Sequence, residues 1–289
     1  MSTLLRRLLQ RVRLSAEAFP RLSLEDQQVL GPEILLSLME IERSIETAEG
    51  TRQVKDNRIQ ALLQESIGRI LGPGMEQELL VVMSPRDEWT LYCDLEHVDG
   101  RLAFVLFLSP TVDYTTDDLV VRVVHEAAHS EPHILTLTRP PFGEPRRLGE
   151  VLCDLVALLI SGPAFVYSAV RLVQLRGAEK SRAFSDSHPS MACRANVLRN
   201  LAPKVWTSEA LHQVTERAFE VIGELECLPE EAAEVQRLNR EAVRSIPRYG
   251  PLATPESTWD QICASGDPNE QSSILLRLNA GLARRGLGR

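Results

Sequence analysis

Residues His125-Glu126-Ala127-Ala128-His129 form an H-E-x-x-H motif near the middle of the chain. On a helix, two histidines four residues apart lie on one face, one turn apart. Both imidazoles can then offer a nitrogen to one Zn²⁺ at about 2.0–2.1 Å. The glutamate between them stands beside such a metal, where it can take a proton from water. The motif therefore predicts His125 and His129 as metal ligands and Glu126 as a general base.

The residues around the motif predict that it lies on a buried helix. Thr115 and Asp118 resemble a capping box, and residues 119–127 supply a wide apolar face. Pro132 is expected to close this helix, because the residue before a proline resists the helical conformation. A simpler alternative is a helix whose two histidines are satisfied by unrelated partners.

Two histidines need a third protein ligand and an open position for water. Glu150 is favoured, because Glu150 and Asp154 lie one turn apart on one face of an apolar helix that Glu150 is expected to open. One carboxylate can bind the metal while the other accepts the N–H of a liganding histidine. Alternatively, Glu150 only complements the helix dipole and Asp154 is exposed. The other ligand candidates are Glu131, His133 and His188.

A third cluster contains His188-Pro189 and Arg194 in the pattern H-P-x-x-x-x-R. Its simpler interpretation is a turn before a helix, with a solvated arginine beyond it. The order H-E-x-x-H, E-x-x-x-D, H-P-x-x-x-x-R resembles that of the gluzincin metallopeptidases. The resemblance is to the CAAX prenyl endopeptidase and heat-shock membrane protease group in particular, and it covers about residues 115–200, a third of the chain.

This resemblance implies a zincin-like core in which His125, His129 and Glu150 bind the metal and Glu126 is the base. It also implies that Asp154 supports a liganding histidine and that His188 and Arg194 face the substrate. A donor such as His188 near the metal would stabilise the oxyanion that forms during hydrolysis. Arg194 could instead pair with a carboxylate through two hydrogen bonds.

The chain departs from the membrane members of that group, which carry several transmembrane helices. It has no run of about 20 uninterrupted apolar residues, so no membrane span is expected. The most apolar stretch, residues 155–170, is interrupted by Gly162-Pro163 and predicts two buried helical segments with a bend. Cys153 stands where the group usually has a small residue.

Composition is that of an ordinary globular protein. The 289 residues are 44% hydrophobic and 25% charged, with a net charge of −8, which argues against nucleic acid as a main partner. Five widely spaced cysteines fit a reducing cytoplasm. Residues 1–14 are predicted to form a basic amphipathic helix, which serves membrane-surface attachment or organelle targeting, or packs its leucines on the protein body. We favour packing, since acids follow at once.

The fold class predicted is mainly α with a small antiparallel β-sheet. Strand patterns at residues 78–83, 89–96 and 102–108 precede the motif helix, with a hairpin signal at Asp99-Gly100. The expected organisation is a helical region at 1–74, a catalytic core at 75–200 and a second helical region at 201–289. One continuous domain is the alternative.

The function predicted from these patterns is that of a cytoplasmic zinc-dependent endopeptidase acting on a protein or peptide. Two alternatives remain open: a catalytically silent helical scaffold stabilised by zinc, and a regulatory module that uses a peptidase-like fold to bind a partner. An intact Glu126 argues against the scaffold, because a structural zinc site has no use for a base.

Overall fold

The structure is a computed structural model, and it describes residues 57–72, 77–83, 90–98, 101–108, 121–138, 144–181, 188–220 and 231–264. The helix predicted at residues 1–14 and the capping box of Thr115 and Asp118 lie outside these ranges. Within them the chain is mostly helical, as predicted. No helix among these residues is long and apolar enough to cross a membrane.

The chain divides into two compact units, and the described strands belong to the first. They are β1 (Gln77–Met83), β2 (Thr90–Val98) and β3 (Arg101–Leu108). β3 runs antiparallel to β2 but parallel to β1. The pairing is therefore mixed, whereas the sequence predicted a small antiparallel sheet. β2 runs against β3, so β1 and β3 point the same way. The strand order is β1-β3-β2, which makes β1 and β3 neighbours and leaves β2 at the other edge of the sheet.

The second unit is helical and contains residues 61–71 of helix α1 (Asn57–Leu71) together with every described helix that follows. The three-region division of the sequence stays a prediction. The helices that follow α1 are α2 (Arg122–Ala128), α3 (Pro132–Thr138), α4 (Glu144–Ser161), α5 (Pro163–Ser181), α6 (Met191–Val205), α7 (Glu209–Glu220), α8 (Ala232–Tyr249) and α9 (Glu256–Ala264).

Helices α4 and α5 form the centre of this unit. All residues from 151 to 170 are buried, which removes the apolar surface of this stretch from water. Gly162 separates the helices with a φ of +59°, and Pro163 begins α5, so the predicted bend is confirmed. A side chain at Gly162 would overlap the indole ring of Trp259, and glycine therefore serves both the turn and the packing.

Helices α2 and α3 meet in a tight turn that places the second motif histidine at a helix end. α2 ends at Ala128, and His129 follows with helical φ and ψ of −62° and −17°. Pro132 begins α3 instead of merely closing α2, because a first-turn position needs no N–H. The N–H of Ile134 donates to Glu131 Oε2 at 2.8 Å, which helps to cap α3.

Helix α4 also begins earlier than predicted. It starts at Glu144, so Glu150 lies in its second turn and does not open it. Gly149 allows α3 and α4 to pack closely, since a Cβ there would lie 2.6 Å from Thr138 Cγ2.

Candidate metal centre

Helices α2 and α4 bring the two motif histidines and Glu150 together. His125 Nε2 lies 3.4 Å from Glu150 Oε2, and His129 Nε2 lies 3.7 Å from Glu150 Oε1. The two imidazole rings are nearly perpendicular, with centroids 5.3 Å apart. One carboxylate therefore faces the same nitrogen atom of both rings.

These distances suit three ligands of one tetrahedral ion. Two donors about 2.1 Å from such an ion lie about 3.4 Å from each other. Both separations between an imidazole and Glu150 are close to this value. The two contacts end on different oxygens of the Glu150 carboxylate.

A buried network fixes the orientation of His125. Its Nδ1 lies 2.9 Å from Asp154 Oδ1. Arg194 donates to both oxygens of Asp154, from Nε at 2.7 Å and from a terminal nitrogen at 2.6 Å. Such two-point pairing is strong and directional. Asp154 thus contacts the first motif histidine at Nδ1. Arg194 is buried against Asp154 and His125, which is the carboxylate pairing considered as its alternative role.

Exposure increases across the cluster and shows where it opens. The His125 side chain is 2% exposed, that of His129 is 18% exposed and that of His188 is 50% exposed. His188 stands just before Ser190, the N-cap of α6, and its Nε2 lies 3.4 Å from Glu150 Oε1. The site therefore has a buried floor at His125 and an accessible side at His188.

The charges around Glu150 keep it ionised. Burial acts to raise the pKa of this carboxyl, but His129, His125 and His188 outweigh that effect and hold it well below its ordinary value. Burial lowers the pKa of His129, against the opposing charges of Glu150 and Glu126. A neutral imidazole beside a carboxylate is the state in which both can bind a metal ion.

Cys153 offers a second arrangement around the same histidines. One ligand atom each from His125, His129 and Cys153 lie within 4.8 Å of one another, and this group could hold a metal ion. The thiol sulfur lies 3.4 Å from His129 Nδ1, on the opposite side of the ring from the nitrogen that faces Glu150. His129 can give Nε2 to an ion shared with Glu150 or Nδ1 to an ion shared with Cys153.

Comparison with protein-family models, curated proteins and solved structures finds no match to this chain. The chemistry of the site therefore has to be inferred from its own geometry.

The buried charges of the centre nearly balance one another. Among the described residues of the cluster, three buried acids face two buried arginines, which leaves a formal charge of −1 before any histidine is protonated. Burying uncompensated charge is costly. The donor set of two imidazoles and a carboxylate is one that Zn²⁺ takes readily. The five charged residues are Glu126, Glu150, Asp154, Arg122 and Arg194.

Some residues of the centre were not predicted, and some candidate ligands have other roles. Arg122 lies 3.9 Å from Asp154 and 5.5 Å from the centroid of the Phe165 ring, which stacks parallel to His125. Arg122 is three residues before His125, so helical spacing alone could have placed it on this face. Glu131 accepts from the backbone N–H of Ile134 at the start of α3 and from Tyr249 at 3.5 Å.

Proposed function

We propose that this chain is a zinc-dependent endopeptidase that hydrolyses a peptide bond with Glu126 as general base. The observation that carries the proposal is the placement of Glu150, whose two oxygens lie 3.4 and 3.7 Å from the Nε2 atoms of His125 and His129. Three protein ligands on one zinc ion would leave a fourth position for water or substrate. A zincin-like α+β core is part of this proposal.

The resemblance to gluzincin peptidases supports the same assignment from the sequence side. His125, His129 and Glu150 would hold the metal, and Asp154 would keep Nδ1 of His125 engaged so that Nε2 points to it. Bound there, Zn²⁺ would polarise the scissile carbonyl and lower the pKa of water toward about 7.

The remaining groups of the site have defined tasks in this proposal. Glu126 is buried on α2 between the two histidines, and its charge acts on His129. It takes the proton of the attacking water and passes it to the leaving amine. His188, on the accessible side, donates from its ring to the carbonyl oxygen as negative charge develops there.

The test compares two glutamate variants of the full chain. Purified protein is loaded with Zn²⁺, its metal content is measured, and hydrolysis is followed with a library of internally quenched peptides. Glu126→Gln should keep the metal and lose hydrolysis by about 10²–10⁴-fold, because only the base is removed. Glu150→Gln should lose the metal as well as the activity, because a neutral amide is a poor ligand.

The control is His133→Ala, which removes a histidine on α3, outside the motif. It should change neither metal content nor hydrolysis. A Glu126→Gln variant as active as the unmodified protein would refute the proposal. A protein that binds zinc tightly and hydrolyses no peptide would favour a zinc-stabilised scaffold. The proposed substrate is a protein or peptide, and the proposed compartment is the cytoplasm.

A further inference from the structure

Cys153 contacts the second motif histidine at the ring nitrogen that faces away from Glu150. Its sulfur lies 3.4 Å from His129 Nδ1, a normal separation for a hydrogen bond that involves sulfur. The residue is completely buried. Asp154 makes the equivalent contact to the first motif histidine, with 2.9 Å between Oδ1 and His125 Nδ1.

The spacing on α4 explains why both contacts come from neighbouring residues. Glu150, Cys153 and Asp154 occupy positions i, i+3 and i+4 of one helix, and such residues share a face. From this face Glu150 reaches the Nε2 atoms of both rings, while Cys153 and Asp154 each reach one Nδ1 atom. One helix therefore contacts both nitrogens of both imidazoles.

We propose that Cys153 is a positioning residue whose sulfur accepts the Nδ1–H of His129, so that the Nε2 lone pair of this ring is presented to the metal. This inference rests on the zinc site proposed above. In a neutral imidazole only one of the two nitrogens carries a proton. The hydrogen bonds that the two nitrogens make decide which of them it is. Metal binding through Nε2 requires the proton on Nδ1, and Cys153 is the acceptor placed there.

The two acceptors differ in strength. A thiol sulfur is a weak acceptor, whereas the partner of His125 is a carboxylate held by Arg194. His129 is thus held less firmly than His125, on the side of the site that is more exposed.

The competing possibility is that Cys153 itself binds the metal, together with His129 Nδ1 and His125. The two arrangements use opposite nitrogens of His129, so one ion cannot satisfy both. A thiolate ligand would lose its proton on metal binding and would give a sulfur-to-metal charge-transfer band with Co²⁺. A thiol that only accepts a hydrogen bond would give none.

Zinc affinity of the full chain, measured by competition with a chelator, tests the proposal. Cys153→Ala should weaken affinity by about 10–100-fold, the usual effect of removing a partner of a liganding histidine. Cys153→Ser should be less affected, because a hydroxyl can also accept from Nδ1. Cys193→Ala is the matched control, since Cys193 is an equally buried cysteine on α6 whose removal should leave affinity unchanged.

The exchange rate of the imidazole Nδ1–H protons is a second readout, which a purely structural role of Cys153 would not change at His129 alone. In the zinc-loaded protein, NMR should show slowly exchanging Nδ1–H protons on both His125 and His129. Cys153→Ala should speed exchange at His129 only, since Asp154 still protects His125. Unchanged zinc affinity and unchanged exchange in Cys153→Ala would overturn the inference and leave the proposed function intact. A Co²⁺ charge-transfer band lost in Cys153→Ala would also overturn it. Failure of the unmodified protein to bind zinc would overturn both proposals.

Discussion

Replacing Asp154 by Asn should destabilise the metal-free protein strongly. The Asp154 carboxylate is 1% exposed and accepts from Arg194 at 2.6 and 2.7 Å, with Arg122 3.9 Å away. Asparagine has a similar shape but removes the negative charge that Arg194 pairs with. Removing one partner of a buried ion pair costs about 3–5 kcal/mol. We therefore expect the free energy of unfolding to fall by about that amount.

Urea-induced unfolding, followed by circular dichroism, measures this loss. If the m-value of a chain this size is about 3 kcal/mol/M, the midpoint of Asp154→Asn should fall by about 1–2 M. The matched control is Glu216→Gln, which breaks an ion pair of similar length, 2.9 Å to Arg199, between side chains that are 48% and 44% exposed. That change should cost less than about 1 kcal/mol.

The pH dependence of the same difference gives a further check. Burial acts to raise the pKa of Asp154, but Arg194 and His125 outweigh it and hold the pKa well below its ordinary value. Because the pKa of Asp is about 3.9 in the unfolded chain, the stabilisation is complete above about pH 4 and is lost as pH falls below it. Equal midpoints for Asp154→Asn and the unmodified protein at pH 7 would refute the reasoning.

Two further predictions concern the metal and the helix bend. Burial and Arg194 lower the pKa of His125, Asp154 raises it, and the balance lies above its ordinary value. Protons should therefore compete with zinc for His125 as pH falls through that raised pKa. Chelator competition should show zinc affinity weakening from pH 8 to 6, and a zinc affinity that does not change with pH would contradict this. Gly162→Ala should lower the unfolding midpoint, because φ is positive and the added Cβ meets Trp259, whereas Gly250→Ala meets open space and should not.

The candidate site was predictable from the sequence to the extent that helical spacing governs it. The four-residue separation of His125 from His129, and of Glu150 from Asp154, predicts shared faces. The H-E-x-x-H and E-x-x-x-D patterns then indicate which faces meet. Which side chains of two helices touch depends on how far one helix is shifted along the other. Residue spacing within a single helix does not determine that shift. For this reason the contact between Cys153 and His129 was not predicted.

Local rules also explain what the sequence misjudged in the fold. Pro132 can end one helix or begin another, and here a turn after His129 leaves it at the start of α3. Helix α4 starts at Glu144, six residues before Glu150. The charged residues in its first turns show no apolar periodicity, so the sequence did not reveal this earlier start. The parallel pairing of β1 with β3 depends on which strand takes the central position, which alternating patterns do not specify.

Anomalous diffraction from a zinc-soaked crystal tests the central claim most directly. The account predicts one ion about 2.0–2.2 Å from Nε2 of His125, Nε2 of His129 and an oxygen of Glu150, with its fourth position open toward His188. An ion bonded to the sulfur of Cys153 at about 2.3 Å, or no ion between the two histidines, would contradict it.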